Sequence, residues 1–448
     1  MAHWVVLGAG PAGLAAAREA LAAGEAVTVV DAVGPGGHAL HNSLAPSKWG
    51  IALARARARL QPYGGIVPED FWARQRPAQA EAIARVAGWH RNALAGARLV
   101  LGQARWVPGA GPMGLAVAVE PGGEELLPDR IIVATGSQQR LVPGLPPDGK
   151  QVLLPRAWAQ LDRLPRQLWV IGTGATGLEA AEGFGRLGVS VTLVGSQPRL
   201  LPDWAPEVGE RVERHLRALG VAMRLGMRVL RLARDPRGRV EVWGEAGPVA
   251  AVEAVLLATG RVGAFSPAAL QEAGLAADAR GFLKVDGRGR TNRLGVWAAG
   301  DAAGYPLLAS KAAVEGRRAA LDALGRDPGP RPPWVEAIYV EPEVARVGWT
   351  PTTGAARPFR RRTASLPPAP MAVAAWHPGE GWLALYTDPA DDRVLGAEAV
   401  GPEAAALISW IGLAVTADLP WGVVQRGAFA TPSSLEWLWY LKDLEGGR

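Results

Sequence analysis

Two glycine-rich turns of the same form are the residues of this chain best suited to chemistry. Gly8-Ala9-Gly10-Pro11-Ala12-Gly13 and Gly172-Thr173-Gly174-Ala175-Thr176-Gly177 each carry glycine at the first, third and sixth positions. Glycines so placed let the chain turn tightly and bring its backbone close to a pyrophosphate, whose charge meets the positive end of the helix that follows. The elements that must position the first turn are legible on both sides. Residues 4–7 form a short apolar strand, residues 14–23 an alanine-rich helix ended by Gly24, and residues 25–30 a second strand closed by Asp31, whose carboxylate can accept hydrogen bonds from a ribose. Around the second turn, residues 168–171, 178–187 and 189–194 repeat strand, helix and strand. A glycine-rich turn of some other α/β protein is the alternative for either turn alone, but the flanking strands and Asp31 favour dinucleotide binding. Two such units suggest two dinucleotides, and the usual pairing is a flavin with a nicotinamide, because hydride can pass between them.

Composition narrows the setting. A chain of 448 residues is too long for one hydrophobic core and predicts two or three domains. Apolar residues make up 49% and charged residues 20%, the balance of a soluble globular protein. The net charge of +6 is too small and too dispersed for a nucleic-acid footprint, though compatible with anionic small ligands. The chain has no cysteine, which excludes disulfides, thiolate metal sites, cysteine nucleophiles and dithiol redox chemistry carried by this polypeptide. The N-terminus lacks the basic start of a signal peptide, and the longest uncharged apolar stretch, between Glu403 and Asp418, is shorter than the roughly 20 residues of a membrane span. No membrane span, no metal site and a cytoplasmic location are the expectations. The preference for Arg over Lys and the heavy use of Ala, Gly and Pro suit a GC-rich or thermophilic source.

The stretch 36–48 reads Gly-Gly-His-Ala-Leu-His-Asn-Ser-Leu-Ala-Pro-Ser-Lys. It resembles the redox loop of the flavin-dependent pyridine nucleotide-disulfide oxidoreductases, the family of dihydrolipoyl dehydrogenase, glutathione reductase and mercuric reductase. The resemblance continues in family order through residues 131–137, 256–261, 295–301, 307–312 and 341–348, so that it covers nearly the whole chain. It implies an α/β fold with two Rossmann-like dinucleotide-binding domains, one for FAD and one for NAD(P), and a C-terminal α/β dimerisation domain. Residues 1–150 with 265–330 would form the FAD-binding domain, 151–264 the NAD(P)-binding domain and 331–448 the interface of a homodimer. Pro and Gly cluster at 143–149 and 326–333, where linkers are expected. The implied cofactors are FAD and NAD(P)H. The residues assigned to them are Gly8, Gly10, Pro11, Ala12, Gly13, Asp31, Gly37, His38, Lys48, Ala104, Thr135, Gly136, Ser137, Gly172, Gly174, Thr176, Gly177, Glu179, Gly195, Ser196, Gly260, Arg261, Gly300, Asp301, Leu307, Leu308 and Ala309.

The departures from the family pattern carry the most information. Aligned on Gly36-Gly37 and Pro46-Ser47-Lys48, the two redox cysteine positions are Ala39 and Leu44. The family's C-terminal His-Pro-Thr-x-x-Glu reads Thr431-Pro432-Ser433-Ser434-Leu435-Glu436, so the proton-accepting His is Thr431 while its orienting Glu remains as Glu436. In the family this segment completes the partner subunit's active site. A proton shuttle for a thiol has no use without the thiol, and disulfide reduction by the family mechanism is therefore not expected. The flavin side is retained. Lys48 and Glu179 match the family's pair beside the flavin, and would support hydride arrival or, alternatively, merely tie two domains together. Asp301 matches the family's FAD-binding Asp, with a plain turn or N-cap Asp as the alternative.

Nicotinamide preference stays open. Gly195 stands where an acid would bind the NAD ribose, and Ser196 or Arg199 could contact a 2′-phosphate, whereas Gly177 as third glycine leans toward NAD. His38 and His41 could protonate a reduced acceptor or line a pocket, with ordinary solvated or backbone-bonded loop residues as the favoured alternative. Trp49, next to Lys48, is a candidate neighbour of the flavin, and the apolar stretch 404–416 reads as a buried helix, with a membrane-surface role second. The function expected is an FAD-dependent NAD(P)H oxidoreductase that passes electrons to a small non-disulfide acceptor such as a quinone. The alternative is a redox-inactive FAD-binding scaffold or sensor.

Overall fold

A computed structural model describes residues 2–60, 71–109, 113–156, 161–366, 381–431 and 433–443. Two parallel five-stranded sheets of the same layout dominate it. The first has the order β18 (Val296–Ala298), β7 (Arg130–Val133), β1 (His3–Leu7), β2 (Ala26–Asp31), β3 (Arg98–Leu101). The second has the order β9 (Val152–Leu153), β16 (Ala254–Leu257), β10 (Gln167–Ile171), β11 (Ser190–Val194), β12 (Ala222–Arg224). In each, the strand entering a fingerprint turn is central. A three-stranded antiparallel meander backs each sheet: β4 (Gln103–Pro108), β5 (Leu115–Glu120) and β6 (Glu124–Leu126) for the first, and β13 (Arg231–Arg234), β14 (Val240–Gly244) and β15 (Gly247–Val252) for the second.

The strand sequences explain this layering. Residues 4–7 are apolar without alternation, as a strand covered on both faces requires. Trp4 and Val6 pack among helical alanines on one face, while Val5 and Leu7 pack against Trp106 and Val117 of the meander on the other. Trp169 and Ile171 likewise meet Leu232 and Val242, and Leu168 and Val170 meet Leu178 and Phe184. The helices Pro11–Ala22 and Ala309–Ala323 approach backbone to backbone on the first sheet. A Cβ at Gly316 would lie 2.0 Å from the carbonyl oxygen of Ala12.

Two short strands, β8 (Ser137–Gln139) and β17 (Arg261–Gly263), leave the ends of β7 and β16 and pair antiparallel with each other. They link the outlets of the two sheets. A six-stranded antiparallel sheet completes the chain, in the order β19 (Val335–Ile338), β20 (Glu343–Gly348), β23 (Val394–Gly401), β22 (Gly381–Thr387), β21 (Arg360–Leu366), β24 (Lys442–Asp443). One face holds the helix Ala404–Thr416 and Trp437; the other brings Val344, Trp382, Tyr386 and Val400 against the helices of the second sheet.

Two local expectations change. The stretch 36–48 is not a loop: it forms the helix Gly37–His41 and the start of the helix Leu44–Leu60. Pro46 is tolerated there because first-turn N–H groups have no intrahelical acceptor. The helix Ala404–Thr416 is buried along Leu407, Ile408 and Ile411 but leaves Leu413 65% exposed, so only one side is covered within the chain. Among the described residues no helix is long and apolar enough to cross a membrane.

The close helix pair gives a first prediction. Gly316→Val places branched carbons against the Ala12 carbonyl and should destabilise the protein by about 1–3 kcal/mol. A lower midpoint in thermal unfolding, followed by circular dichroism, checks it.

Candidate functional site

Both fingerprint turns are shaped by three glycines in the same way. Gly8 and Gly172 take φ of +106° and +118°, and a Cβ on them would lie 2.3 Å from the Ala134 oxygen and 2.1 Å from the Ala258 oxygen. A Cβ on Gly13 or Gly177 would lie 1.8 Å from the carbonyl oxygen of Gly8 or Gly172. Gly10 and Gly174 face open space, so their missing side chains bare the backbone toward the cleft. The helices Pro11–Ala22 and Ala175–Arg186 start at these residues with no side-chain cap and no acid in the first turn. Their first N–H groups need acceptors, and an anion bound in the cleft would supply them. A pyrophosphate fits both cradles.

The cleft joining the two turns has a volume of about 1160 Å³. Of the residues assigned from the sequence, Gly8, Gly10, Pro11, Ala12, Asp31, Gly37, His38, Lys48, Thr135, Gly136, Ser137, Gly172, Gly174, Thr176, Glu179, Gly195, Ser196, Gly260, Arg261, Gly300, Asp301, Leu307, Leu308 and Ala309 line it. Gly13 and Gly177 are buried beneath the turns rather than on the wall. Ala104 is not on the cleft wall: it lies in β4, partly buried against the core behind the first sheet.

Asp31 braces the first turn as well as facing the cleft. One carboxylate oxygen accepts the Ala9 N–H at 2.6 Å, and the other accepts those of Val33 and Gly34 at 2.7 Å. Asp301 stands in a short turn over Gly300–Ala303 and accepts the Ser137 hydroxyl at 2.6 Å. Arg261 Nε donates to that same hydroxyl oxygen at 2.6 Å. Burial pulls the Arg261 guanidinium below its usual pKa, opposed by the charge of Asp301. Behind this turn, the buried Lys311 ammonium donates to the carbonyls of Gly300 and Gly304 at 3.1 and 2.9 Å and pairs with Glu315 at 2.8 Å.

Lys48 and Glu179 meet at 2.5 Å. Glu179 also accepts the Tyr339 N–H at 2.9 Å, and the Lys48 ammonium lies 4.7 Å from the centre of the Tyr339 ring. Burial raises the Tyr339 phenol, with Glu343 and Glu179 adding to the effect. Sequence reasoning missed Tyr339 and Lys311. Neither stands in a turn or spacing that announces chemistry, and only packing brings them to these places.

Ala39 and Leu44 line the same cleft as Lys48, together with Ser43 and Ser47. His38 lines it too; its Nδ1 lies 2.9 Å from the Asn42 amide nitrogen, and burial lowers its pKa against the opposing charge of Asp31. His41 is not on the wall and bonds through Nε2 to the Pro35 carbonyl at 3.1 Å. Trp49 is also off the wall, its indole nitrogen buried without a partner. Arg199 does not reach the cleft, because its guanidinium donates to the carbonyls of Leu201, Pro202 and Trp204 in its own loop. Thr431 is exposed, and Pro432 lies outside the described residues. Glu436 is buried and closes a capping box, accepting the Ser433 N–H at 3.1 Å. Among the described residues no group of three His, Asp or Glu side chains could hold a metal ion.

Comparison with known proteins agrees with this architecture. Residues 2–316 match the pyridine nucleotide-disulphide oxidoreductase family model, and residues 334–440 match that family's dimerisation domain, which supports a homodimer. A dihydrolipoyl dehydrogenase of Chlorobaculum parvum is 30% identical over 95% of this chain and 92% of its own length. An NAD(P)H dehydrogenase (quinone) of Mycobacterium tuberculosis is 32% identical over 92% of this chain and 87% of its own. The crystal structure of LpdA from Mycobacterium tuberculosis superposes with a TM-score of 0.87 at 28% identity, covering 97% of each chain. With both parts of the family matched in order and no cysteine anywhere in the sequence, the chain belongs to the pyridine nucleotide-disulphide oxidoreductase family, as a cysteine-less member.

Proposed function

We propose that this protein is an FAD-dependent NAD(P)H oxidoreductase that delivers electrons to a non-disulfide acceptor such as a quinone. In this reading residues 1–150 with 265–330 hold FAD, 151–264 hold the nicotinamide dinucleotide and 331–448 pair two subunits. One observation carries it: the Lys48–Glu179 pair is formed on the same cleft wall on which Ala39 and Leu44 replace the family's two cysteines. The kinship to an NAD(P)H dehydrogenase (quinone) supports an acceptor other than a disulfide.

Bound FAD would supply the hydride-accepting and electron-donating chemistry that no side chain of this chain can provide. The chain's own residues do the rest. The uncapped N–H groups after Gly10 and Gly174 hold phosphate charge, and the Asp301–Ser137–Arg261 network offers fixed polar partners between them. Lys48 keeps a positive charge on the wall, fixed by Glu179 and the Tyr339 ring, where it favours the arrival of electrons. Ala39 and Leu44 make that wall apolar, suited to a flat acceptor, and no neighbouring base is needed because no thiol must lose a proton. Glu436 accordingly serves the backbone of Ser433.

Three outcomes test this reading. The purified protein should be yellow, with one FAD per subunit. Anaerobic NADH or NADPH should bleach it in stopped-flow mixing, and benzoquinone should restore the colour, with no turnover of lipoamide or glutathione disulfide and no thiolate-to-flavin charge-transfer band. A flavin that stays oxidised with both nucleotides would leave the scaffold reading in place. Glu179→Ala removes the carboxylate that holds both Lys48 and the Tyr339 N–H; it should slow bleaching at least tenfold while FAD stays bound, on the order of what misplacing a fixed charge costs. Leu413, Val423 and Trp439 expose apolar side chains on the C-terminal unit, so light scattering at micromolar concentration should give the mass of two 47.0 kDa chains.

A further inference from the structure

The half of the cleft beneath the second fingerprint holds a cation that the fold leaves without a partner. Arg228 lines the cleft, is exposed, and makes no hydrogen bond or ion pair among the described residues. Its position is fixed by the backbone. Gly195 N–H donates to the Arg224 carbonyl at 3.0 Å, Met227 N–H to the Gly195 carbonyl at 2.9 Å and Gly226 N–H to the Gln197 carbonyl at 2.9 Å. These bonds lace the segment after β11 to the segment after β12, and Arg228 follows directly, across from Gly195 and Ser196 on the cleft wall.

A site built for an unphosphorylated ribose offers a carboxylate at the end of the second strand. Gly195 occupies that place, and a side chain there would collide with its neighbour: an added Cβ would lie 2.4 Å from Cγ2 and 2.8 Å from Oγ1 of Thr173. The acids that do line the cleft are committed elsewhere. Asp31 and Asp301 stand with the first fingerprint, Glu179 holds Lys48, and Glu336 pairs with Arg346. The second half of the cleft therefore combines a free guanidinium, a serine hydroxyl and no opposing carboxylate, a donor set matched to a phosphomonoester dianion. Met227 and Val229 add apolar surface beside it.

We infer that Arg228, with Ser196, receives the 2′-phosphate of the adenosine ribose and makes the protein select NADPH over NADH. The inference rests on the nicotinamide reading of this half of the cleft and names its substrate. It assigns the selectivity to a residue after the third strand of the sheet, whereas Arg199, the arginine that follows the second strand, is occupied by its own loop.

The test is calorimetric titration of the FAD-loaded protein with adenosine 2′,5′-bisphosphate and with AMP at low salt, for the native chain, Arg228→Ala and Arg228→Glu. Arg228 is exposed and partnerless, so both variants should unfold at the native temperature. The native protein should bind the bisphosphate about tenfold or more tighter than AMP, the size of one charge-assisted contact. Arg228→Ala should abolish that advantage, Arg228→Glu should invert it, and AMP affinity should not move. Equal native affinities, or an advantage that survives Arg228→Ala, overturns the inference while leaving the nicotinamide site in place. If neither nucleotide binds any of the three proteins, the nicotinamide reading falls and takes the inference with it.

Discussion

The contact on which this structure depends most is the junction of Lys48, Glu179 and Tyr339. Its three members come from the helix Leu44–Leu60, the helix Ala175–Arg186 and the segment that follows β19, so it closes all three units of the chain around one carboxylate. A second tier reinforces it one turn further along. The fully buried Glu182 accepts the Glu341 N–H at 3.0 Å and pairs with Arg55 and Arg186. Burial opposes the charge on Glu182, yet His215, Arg55 and Arg186 hold its carboxyl below the usual value. Buried ions in this density are costly to assemble and costlier to break one at a time. They fix the relative placement of the two fingerprint turns, and hence the width of the cleft.

The chemistry removed from the cleft is as coherent as the chemistry kept. Ala39 and Leu44 stand on the wall that Lys48 shares, and Thr431 is an exposed residue far along the chain. The loss of a nucleophile removes the need for its base, and the acid that would have oriented that base has a backbone task at Ser433. What remains is a cleft with two bare helix N-termini, a fixed cation and an apolar wall. On the function proposed above, such a site would bind two nucleotides and leave the second half-reaction to whatever fits against the bound group.

The sheets agree with this division of labour. Each fingerprint strand is central in a parallel sheet whose other face is closed by a meander, so both glycine turns point out of rigid strands rather than mobile loops. The antiparallel pair β8 and β17 then joins the outlets of the two sheets and carries Ser137 and Arg261 to Asp301.

How much of this was legible in the sequence differs by element. The two GxGxxG turns, their strands and helices, the absence of thiols and the retention of Lys48 and Glu179 could all be read from residue type and order. Each depends on local backbone freedom or on the presence or absence of a functional group, and neither needs long-range contacts to be recognised. The register of Pro46 within a helix, the idle state of Arg228, the diversion of Arg199, and the arrival of Tyr339 and Lys311 were not legible. The placement of Ala104 was not legible either, since its strand packs it partly against the core behind the first sheet rather than on the cleft wall. These were decided by tertiary structure, because they depend on which carbonyls, carboxylates and apolar faces the folded chain brings within a few ångströms, and spacing along the sequence does not encode that.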